Sequence, residues 1–415
     1  MIRKVLKGMS RKKTDERKRI AFFVSARSEY GLLRWTIKNL IESQEFLPGI
    51  FVGGGMTAAS YGMSVTNIYE DFPDVEIFEI PYSLDGDTPK HIANSLSVGL
   101  QSMAQNLFKW GPDFIIILGD RYDIFIPSIA GTIGGIPIIH LCGGDITSGA
   151  LDNNVRYSAT KLSHIHLVQT FGAAKNVSSC GEEDWRISIV GAPGIESIYK
   201  EDFPSREIAE ERLGIDLCKP TALCTYHPTT LEFNITIEQQ VWNLLSALND
   251  HEQFQFVITY PGVEIGSNKI IKMLKDFAEM RHNVHLFDSL GNTYLSVMKH
   301  SLVVIGNSSS GIIESPALQV PTVNIGTRQE GRERSDSIID CGYDSEEISR
   351  AISKATTDMF RKHMENCSNP YDPYLDGNVS GRILTVLKNL PHKDKLLKKK
   401  LDFEVREGEW NRLLQ

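Results

Sequence analysis

The feature that most constrains the fold is a regular alternation of short apolar runs and longer segments with helical spacing, which begins at Arg19. Runs rich in β-branched and aromatic residues predict strands, and the segments between them predict crossover helices. Because runs such as residues 114–119 are apolar throughout, we expect strands covered on both faces. The sequence therefore predicts an α/β fold with largely parallel, doubly wound, Rossmann-like sheets.

The predicted strands fall into two sets, which indicate two α/β domains. The first set comprises residues 20–25, 49–54, 75–80, 114–119, 137–141, 165–170 and 187–191, and the second comprises 221–226, 254–259, 284–287, 301–306 and 321–326. Predicted crossover helices include residues 30–42 and 89–108. We expect a basic extension over 1–19, a first domain over 20–198, a hinge near residue 200, a second domain over 199–376, and a C-terminal segment over 377–415 with a helix at 379–390.

Composition limits the possible functions. The 415 residues are 41% hydrophobic and 23% charged, as in a globular protein of about two or three domains. A formal net charge of -8 argues against nucleic-acid or membrane binding by the body of the protein. The six cysteines form no CxxC pair, and no run reaches the roughly 20 apolar residues of a membrane span. We expect a cytoplasmic protein without zinc or disulfides.

Both ends of the chain are locally basic. The N-terminal segment lacks the apolar core of a secretory signal, so it is expected to be a frayed or partly helical extension. A weak membrane-surface or targeting role is the alternative. The lysine-rich tail after residue 390 is expected to be a solvated charged face.

Carboxylates and arginines cluster just beyond two predicted strands of the first domain. They are Asp120, Asp145 and Asp152, with Arg121 and Arg156. In open α/β sheets, ligands bind in the crevice outside the carboxyl ends of the strands. Carboxylates can transfer protons and guanidinium groups can hold an anion. This combination favours cleavage of a phosphorylated or nucleotide-activated substrate. The alternative is helix capping for Asp120, Asp123 and Asp152, and turn formation for Asp145.

The second domain contains a candidate anion site. The segment GNSSSGIIE follows an apolar strand and opens a predicted helix, so its backbone N–H groups, Ser308 and Ser309 face a candidate anion. Glu314, in the first turns of that helix, is placed to accept hydrogen bonds from ribose hydroxyls. A serine-rich helix cap without a ligand is the alternative.

Three further cationic side chains follow predicted strands that end near the same cleft. His227 and Arg328 follow strands of the second domain, and Arg27 follows the first strand of the first domain. Together with Arg121 they predict a nucleotide diphosphate site. His164 and His166 share one face of a predicted strand, and we interpret them as a core or interface pair because no third ligand lies nearby. We assign no metal and no cofactor.

These motifs together resemble the UDP-N-acetylglucosamine 2-epimerase family, in particular its hydrolysing branch, which serves sialic-acid-like nonulosonate synthesis. The resemblance extends from Ile20 to about Leu390 and depends on SARSEYGLL, LGDRYD, GGDITSGALDNNVRYSATKLSH, GAPG, YHP, GNSSSGIIE and GTRQEGRER. It implies a GT-B-like pair of Rossmann domains with the active site between them. It also implies closure on binding a UDP-sugar, and a homodimer or homotetramer.

The resemblance also implies residue roles. The catalytic carboxylates would be Asp120, Asp145 and Asp152. The residues that hold the UDP-sugar would be Arg27, Arg121, Arg156, His227, Ser308, Ser309, Glu314 and Arg328. The implied reaction is anti elimination of UDP to a 2-acetamidoglycal, followed by hydration to N-acetylmannosamine.

The sequence departs from the family pattern close to the sugar. The loop that usually reads Gly-Gly-Glu ends in Asp145 here, and Tyr157 stands where the family usually has a histidine. Cys142, Met56 and Asn153 also differ from common family residues. The reaction class is therefore expected to be retained while the sugar differs, for example a UDP-2,4-diacetamido-2,4,6-trideoxyhexose of legionaminic-acid synthesis.

Two other functions compete with the epimerase. A GT-B glycosyltransferase would use the same nucleotide half, but DNNVRYSATKLSH resembles the epimerases specifically. A catalytically silent nucleotide-sugar sensor would be favoured by loss of a catalytic acid, whereas all three carboxyl positions are acidic.

Overall fold

The computed structural model describes residues 15–57, 65–82, 88–262, 264–364 and 367–402. The basic segments at residues 1–14 and 403–415 lie outside the described residues, and so do the hypotheses about them. Within the described ranges, no helix is both long and apolar enough to cross a membrane.

Two parallel sheets form the framework, as predicted. The first has the order β3-β2-β1-β4-β5-β6-β7 and the second β10-β9-β8-β11-β12-β13. Their bounds are β1 Lys18–Val24, β2 Phe46–Gly53, β3 Glu76–Ile80, β4 Phe114–Leu118, β5 Ile138–Leu141, β6 Ile165–Val168, β7 Ile187–Ile189, β8 Thr221–Thr225, β9 Gln255–Thr259, β10 Val284–Phe287, β11 Val303–Gly306, β12 Thr322–Ile325 and β13 Ile338–Cys341.

Helices cover both sheets. Their bounds are α1 Arg27–Glu42, α2 Val65–Asp71, α3 Pro89–Trp110, α4 Phe125–Gly134, α5 Asp152–Leu162, α6 Phe171–Ser179, α7 Pro193–Tyr199, α8 Arg206–Leu213, α9 Ile237–Asn249, α10 Ser267–Glu279, α11 Tyr294–His300, α12 Ser310–Ile313, α13 Ser345–Ala355, α14 Asp358–Met364, α15 Val379–Lys388 and α16 Lys393–Leu397. Short 3-10 helices lie at Gly54–Met56, Tyr122–Ile124, Asp184–Arg186, Gly291–Thr293 and Ser315–Leu318.

Strand β1 shows why the sheet needs helices on both faces. Phe22 packs into the core on one face, and its neighbours Ala21 and Phe23 pack into the core on the other. All three side chains are buried. An uninterrupted apolar strand of this kind is stable only when both faces are covered.

In each sheet the strand order reverses between neighbouring strands, β1 and β4 in the first and β8 and β11 in the second. Helices that leave such a pair pass to opposite faces, which opens a crevice at the carboxyl ends of the strands. The predicted site residues follow these strands or their neighbours, which is why the topology brings them to one cleft.

The C-terminal segment is docked on the first domain by a few of its side chains. Helix α15 buries Ile383 and Leu387 in the core of the first domain, and Leu396 of α16 is buried there too. Arg186 donates to the carbonyl of Leu396 over 3.0 Å, and Lys399 Nζ lies 2.6 Å from Glu182 Oε2. The described part of the tail is therefore docked on the first domain through Leu396 and Lys399. Its other lysines are exposed, which agrees with the prediction of a solvated charged face: Lys393, Lys395, Lys398 and Lys400.

Candidate functional site

The structure brings the predicted carboxylates of the first domain to one wall of the cleft. Asp120 follows β4, Asp145 follows β5 and Asp152 is the first residue of α5. Arg156, fully buried, is ion-paired with Asp120 and donates to the carbonyl oxygen of Asp145 over 2.9 Å. Arg156 also donates to Thr147 Oγ1 over 3.0 Å. One guanidinium therefore ties both carboxylate-bearing loops together.

A histidine and a close-packed glycine fix the turns that carry Asp120 and Asp145. His140 lies 2.7 Å through Nε2 from the carbonyl oxygen of Gly119, so Nε2 must carry the donated proton. Burial lowers the pKa of His140 to about 4, which keeps the ring neutral near pH 7. Gly144, at φ +86°, lies so close to the Ala173 carbonyl that a side chain would not fit.

The capping interpretation fails for Asp123 and Asp152. The N-cap residue of α5 is Leu151, and Asp152 instead pairs with Arg328 of the second domain at 3.3 Å. Asp123 is fully buried and accepts hydrogen bonds from Ser25 and Tyr82 over 3.1 and 3.2 Å.

Asn307 organises the second-domain wall. Its side chain accepts from the His227 backbone N–H over 2.7 Å and donates to the His227 carbonyl over 2.8 Å. Its own carbonyl accepts from Gln329 over 2.8 Å and from Arg328 over 3.4 Å. This hub fixes His227 and Arg328 beside each other, and Glu264 completes the group at 3.1 Å from His227 Nδ1 and 3.4 Å from Arg328.

Arginines of the second domain reach across the cleft to the carboxylates. Arg328 pairs with Asp152, and Arg332 Nη2 lies 3.5 Å from Asp145 and 3.8 Å from Asp120. Each of these three aspartates therefore faces a cation of the second domain, so the two domains meet through charge complementarity.

The serine turn follows β11 as predicted, but the helix it opens is one turn long. Helix α12 ends at Ile313, and Glu314 is its C-cap rather than a residue of its first turns. Ser309 is the N-cap residue, and Ser308 Oγ lies 3.0 Å from Ser310 Oγ. Burial raises the pKa of Glu314 to about 8. The carboxyl lies against Gly194 of the GAPG turn, where a larger residue would not fit.

Arg121 and Arg27 lie at the first-domain end of the cleft. Arg121 rests on two buried carboxylates, 3.3 Å from Asp123 and 3.7 Å from Glu29. A Cβ on Gly262 of the second domain would lie 3.4 Å from Arg121, so this guanidinium also lies near the opposite wall. Arg27 begins α1 and is partly exposed.

The three aspartates have different electrostatic environments. Enclosure in the cleft raises the pKa of Asp145, and it raises that of Asp152 to about 6, with the neighbouring Asp120 adding to the effect. Enclosure would also raise the pKa of Asp120, but Arg156 and Arg332 outweigh it and lower the pKa. Carboxyl groups whose pKa values are pushed apart suit separate roles in proton transfer.

Sequence reasoning missed several members of this cleft: Glu29, His140, Glu264, Asn307, Gln329 and Arg332. Four of them lie within the motifs that carry the family resemblance, and this position was the signal that could have found them: Glu29, Asn307, Gln329 and Arg332. Glu264 follows β9 at the same sheet edge, which is the same kind of position as His227 after β8.

The histidine pair is buried in the core, in agreement with its interpretation. His166 Nε2 lies 3.1 Å from Glu182, and His164 Nδ1 accepts from the Ile138 N–H over 3.1 Å. Across the described ranges, one His/Cys/Asp/Glu group has metal-like spacing: Glu210, Asp216 and Cys218, away from the cleft. Both carboxylates there accept backbone N–H bonds, of Leu217 and of Cys218 itself.

Comparisons with known proteins agree with this geometry. The profile of the UDP-N-acetylglucosamine 2-epimerase family matches residues 38–388. The polysialic acid biosynthesis protein P7 of Escherichia coli is 33% identical over 359 residues, which cover 85% of this chain and 90% of that protein. The GDP/UDP-N,N'-diacetylbacillosamine 2-epimerase (hydrolyzing) of Campylobacter jejuni is 31% identical, with 84% of this chain and 90% of that protein covered.

The fold has the same relatives. The crystal structure of UDP-GlcNAc 2-epimerase from Neisseria meningitidis, bound to UDP-GlcNAc, superposes with a TM-score of 0.74 at 19% identity. The match covers 90% of this chain and all of that chain. It confirms the predicted GT-B-like pair of Rossmann domains.

Proposed function

Because the chain belongs to the UDP-N-acetylglucosamine 2-epimerase family, we propose that it is a hydrolysing 2-epimerase that converts UDP-N-acetylglucosamine and water into N-acetylmannosamine and UDP. The observation that carries the proposal is the trio Asp120, Asp145 and Asp152, with separated pKa values, facing arginines across a cleft. We further propose a place in sialic-acid-type sugar synthesis, and a homodimer or homotetramer.

The second-domain wall would bind the nucleotide. His227 and Arg328 are held side by side by Asn307, where they can contact the diphosphate. Ser308 and Ser309 would donate hydroxyl hydrogen bonds, and Glu314 would accept from the ribose. Arg27 and Arg121 of the first domain would reach the diphosphate when the cleft closes, and the developing charge on the departing UDP would be stabilised by these cations.

The first half-reaction is anti elimination. A hydrogen at C2 of the sugar is too weakly acidic to remove directly, but oxocarbenium character at C1 acidifies it. A carboxylate takes the C2 proton, the C2–H electron pair becomes the C1=C2 double bond, and the C1–O bond breaks with its electrons leaving on UDP. Asp152, with a pKa raised to about 6, and Asp145 suit this base role. Asp120 stays ionised and stabilises positive charge at C1.

The second half-reaction is hydration of the 2-acetamidoglycal. The protonated carboxyl group opposite the face that lost the hydrogen delivers a proton to C2, which inverts that centre. Water adds to C1, and its surplus proton passes to an ionised carboxylate. That carboxylate is the one that protonated C2, so it recovers its proton, and the base releases to solvent the proton it took from C2. Both carboxyl groups thereby return to their starting states.

A second candidate substrate is a UDP-2,4-diacetamido-2,4,6-trideoxyhexose. The observation in its favour is the altered support of the Asp145 loop: Tyr157 donates to the Gly144 carbonyl over 3.2 Å and Asn153 accepts from the Thr147 N–H over 3.0 Å. These replacements of common family residues act on the loop that carries the sugar-proximal carboxylate. Similarity to the Campylobacter jejuni enzyme points the same way.

Proton NMR in D2O tests both candidates. Protein is incubated separately with UDP-N-acetylglucosamine and with the UDP-diacetamido-trideoxyhexose. Free UDP together with a 2-epimer carrying deuterium at C2 is the expected product of the true substrate. Turnover that retains protium at C2 would contradict the elimination mechanism, and the absence of UDP release from both sugars would favour a transferase or a silent sensor.

A further inference from the structure

Arg332 occupies an unusual position among the arginines of the cleft. It lies on the loop between β12 and β13 of the second domain, yet its guanidinium approaches two carboxylates of the first. The side chain is only 8% exposed. It therefore lies inside the cleft rather than at the surface.

Arg332 and Arg156 hold the same two loops from opposite domains. Arg156 is ion-paired with Asp120 and bonded to the Asp145 carbonyl, while Arg332 Nη2 lies between the two carboxylates, 3.5 Å from Asp145 and 3.8 Å from Asp120. The carboxylate pair therefore has one cation from its own domain and one that arrives only with the other domain.

The hydrogen bonding of Arg332 is unlike that of a structural arginine. Arg186 is a buried structural arginine, and its guanidinium donates to the carbonyls of His164 and Leu396 over 3.0 Å each. By contrast, Nε and Nη1 of Arg332 are buried and have no hydrogen-bond partner among the described residues. Since an unpaired buried donor is destabilising, fold stability does not explain Arg332.

We propose that Arg332 is a positioning residue that the second domain supplies to Asp120 and Asp145, so that this carboxylate pair is aligned for catalysis only when the cleft is closed. The inference rests on the proposed epimerase function. It links domain closure to chemistry, because the open cleft would leave Asp145 without this partner.

The charges around Asp145 set the direction of the expected effect. The charged groups that face it are Arg332, Arg156, Asp120 and Glu333, and the titratable side chains of Cys142, Tyr157 and Tyr371 also interact with it. Of these, both arginines favour the ionised form, and the carboxylates disfavour it. Removing Arg332 therefore raises the pKa of Asp145 further. The acidic limb of the pH–rate profile, where it reflects ionisation of Asp145, then moves to higher pH.

The test compares Arg332→Met and Arg332→Lys with wild type, using the sugar on which the wild type is active. We expect kcat of Arg332→Met to fall by about 10²-fold, with KM changed less than about threefold. The acidic limb of kcat should move up by about one pH unit. Arg332→Lys should recover part of kcat and of the limb, because it restores the charge without the planar fork. UDP affinity, from calorimetry, should stay within about threefold.

Arg212→Met, the same change at an exposed arginine of α8, is the matched control. The inference is overturned if Arg332→Met keeps wild-type kcat and the acidic limb of its pH–rate profile does not move. It is also overturned if kcat and UDP affinity fall equally while this limb does not move, because that result indicates a structural role. If Arg332→Met does not fold, the acidic limb of the pH–rate profile is measured for Arg332→Lys instead, and an unmoved limb again overturns the inference. An inactive wild type would instead refute the proposed function, so the two failures are distinguishable.

Discussion

The aspartates of the cleft differ in pKa although their side chains are identical. Asp120 is ion-paired with Arg156, whereas the carboxylate of Asp152 has Asp120 and Glu264 as negative neighbours besides Arg328. Burial raises the pKa of Asp152 and the like charges of its neighbours add to the effect, so the proton is held on Asp152 rather than on Asp120. The roles of the aspartates thus follow from their neighbours, which sequence alone does not specify.

Asp152→Asn should separate chemistry from nucleotide binding. The amide cannot take up the C2 proton, so we expect kcat to fall by at least about 10³-fold. UDP affinity should be retained or increased, because Arg328 loses an intramolecular competitor for the diphosphate. Steady-state kinetics and calorimetry measure the two quantities, with the exposed Asp394→Asn as control. Wild-type turnover of Asp152→Asn would remove this residue from the mechanism.

The raised pKa of Glu314 predicts that a proton is released when UDP binds. Burial raises the pKa of Glu314 to about 8, so the free carboxyl is mainly protonated near pH 7. Ribose hydroxyls that donate to it favour the ionised form, lower its pKa and expel a proton. UDP affinity should therefore increase as pH rises from about 7 to 8, a range above the phosphate ionisation near pH 6.

Calorimetry of UDP binding at about pH 7.5, in buffers of different ionisation enthalpy, measures that proton. Wild type should release a substantial fraction of one proton per site, and Glu314→Gln should release almost none. Equal release by both proteins would assign the proton to another group.

At the scale of elements, the strands and helices of both sheets were predictable where the apolar pattern was strong. Strand β13 was not predicted, because it lies at a sheet edge, is only partly buried and carries the exposed Asp340 within four residues. Helix α15 was predicted, but its docking on the first domain was not. Which core receives Ile383 and Leu387 depends on long-range packing that local periodicity does not encode.

One fully buried carboxylate contributes to the docking of the tail. Glu182 accepts from Lys161 and Lys399 over 2.7 and 2.6 Å, and it lies 3.1 Å from His166. Burial would raise the pKa of Glu182, but hydrogen bonds from these three partners lower it to about 2. The carboxylate thereby contributes stability above its unfolded pKa near 4.5, and this contribution is lost as pH falls towards 2.

We expect Glu182→Gln to lower the free energy of unfolding by about 3 kcal/mol at pH 7, because two ammonium groups lose their charged partner. The difference from wild type should shrink as pH falls below about 4.5. Denaturant titrations measure both, with Glu211→Gln on the exposed side of α8 as control. A constant difference across this pH range would mean that packing, rather than charge, explains the effect.

At the scale of the whole molecule, backbone contacts hold the two domains together beside the catalytic loop. The Ser148 N–H donates to the Glu330 carbonyl over 3.0 Å, and the Leu231 N–H donates to the Gly149 carbonyl over 3.2 Å. The sequence predicted a cleft between two domains, but not which loops meet. The loop that bears these contacts also lies between Asp145 and Asp152, so domain approach and carboxylate placement are coupled.

Gly149→Ala should hold the cleft partly open. A Cβ at this position would lie 2.6 Å from the backbone oxygen of Thr327, so one domain must move away from the other. The nucleotide wall belongs to the second domain, and UDP affinity should change less than about threefold. Misplacement of the carboxylates by about 1 Å should lower kcat by about 10²-fold.

Gly31→Ala is the matched control, because a Cβ there meets nothing within 4 Å and alanine favours the helix α1. It should retain full activity and gain up to about 1 kcal/mol of stability. Kinetics, calorimetry and the radius of gyration from small-angle scattering with and without UDP compare the three proteins. If Gly149→Ala is as compact and active as wild type, the loop relaxes around the methyl group and close contact at Thr327 is not what sets the carboxylates. If it is expanded and slow while it binds UDP normally, closure is the step that converts a nucleotide-binding domain into a catalyst.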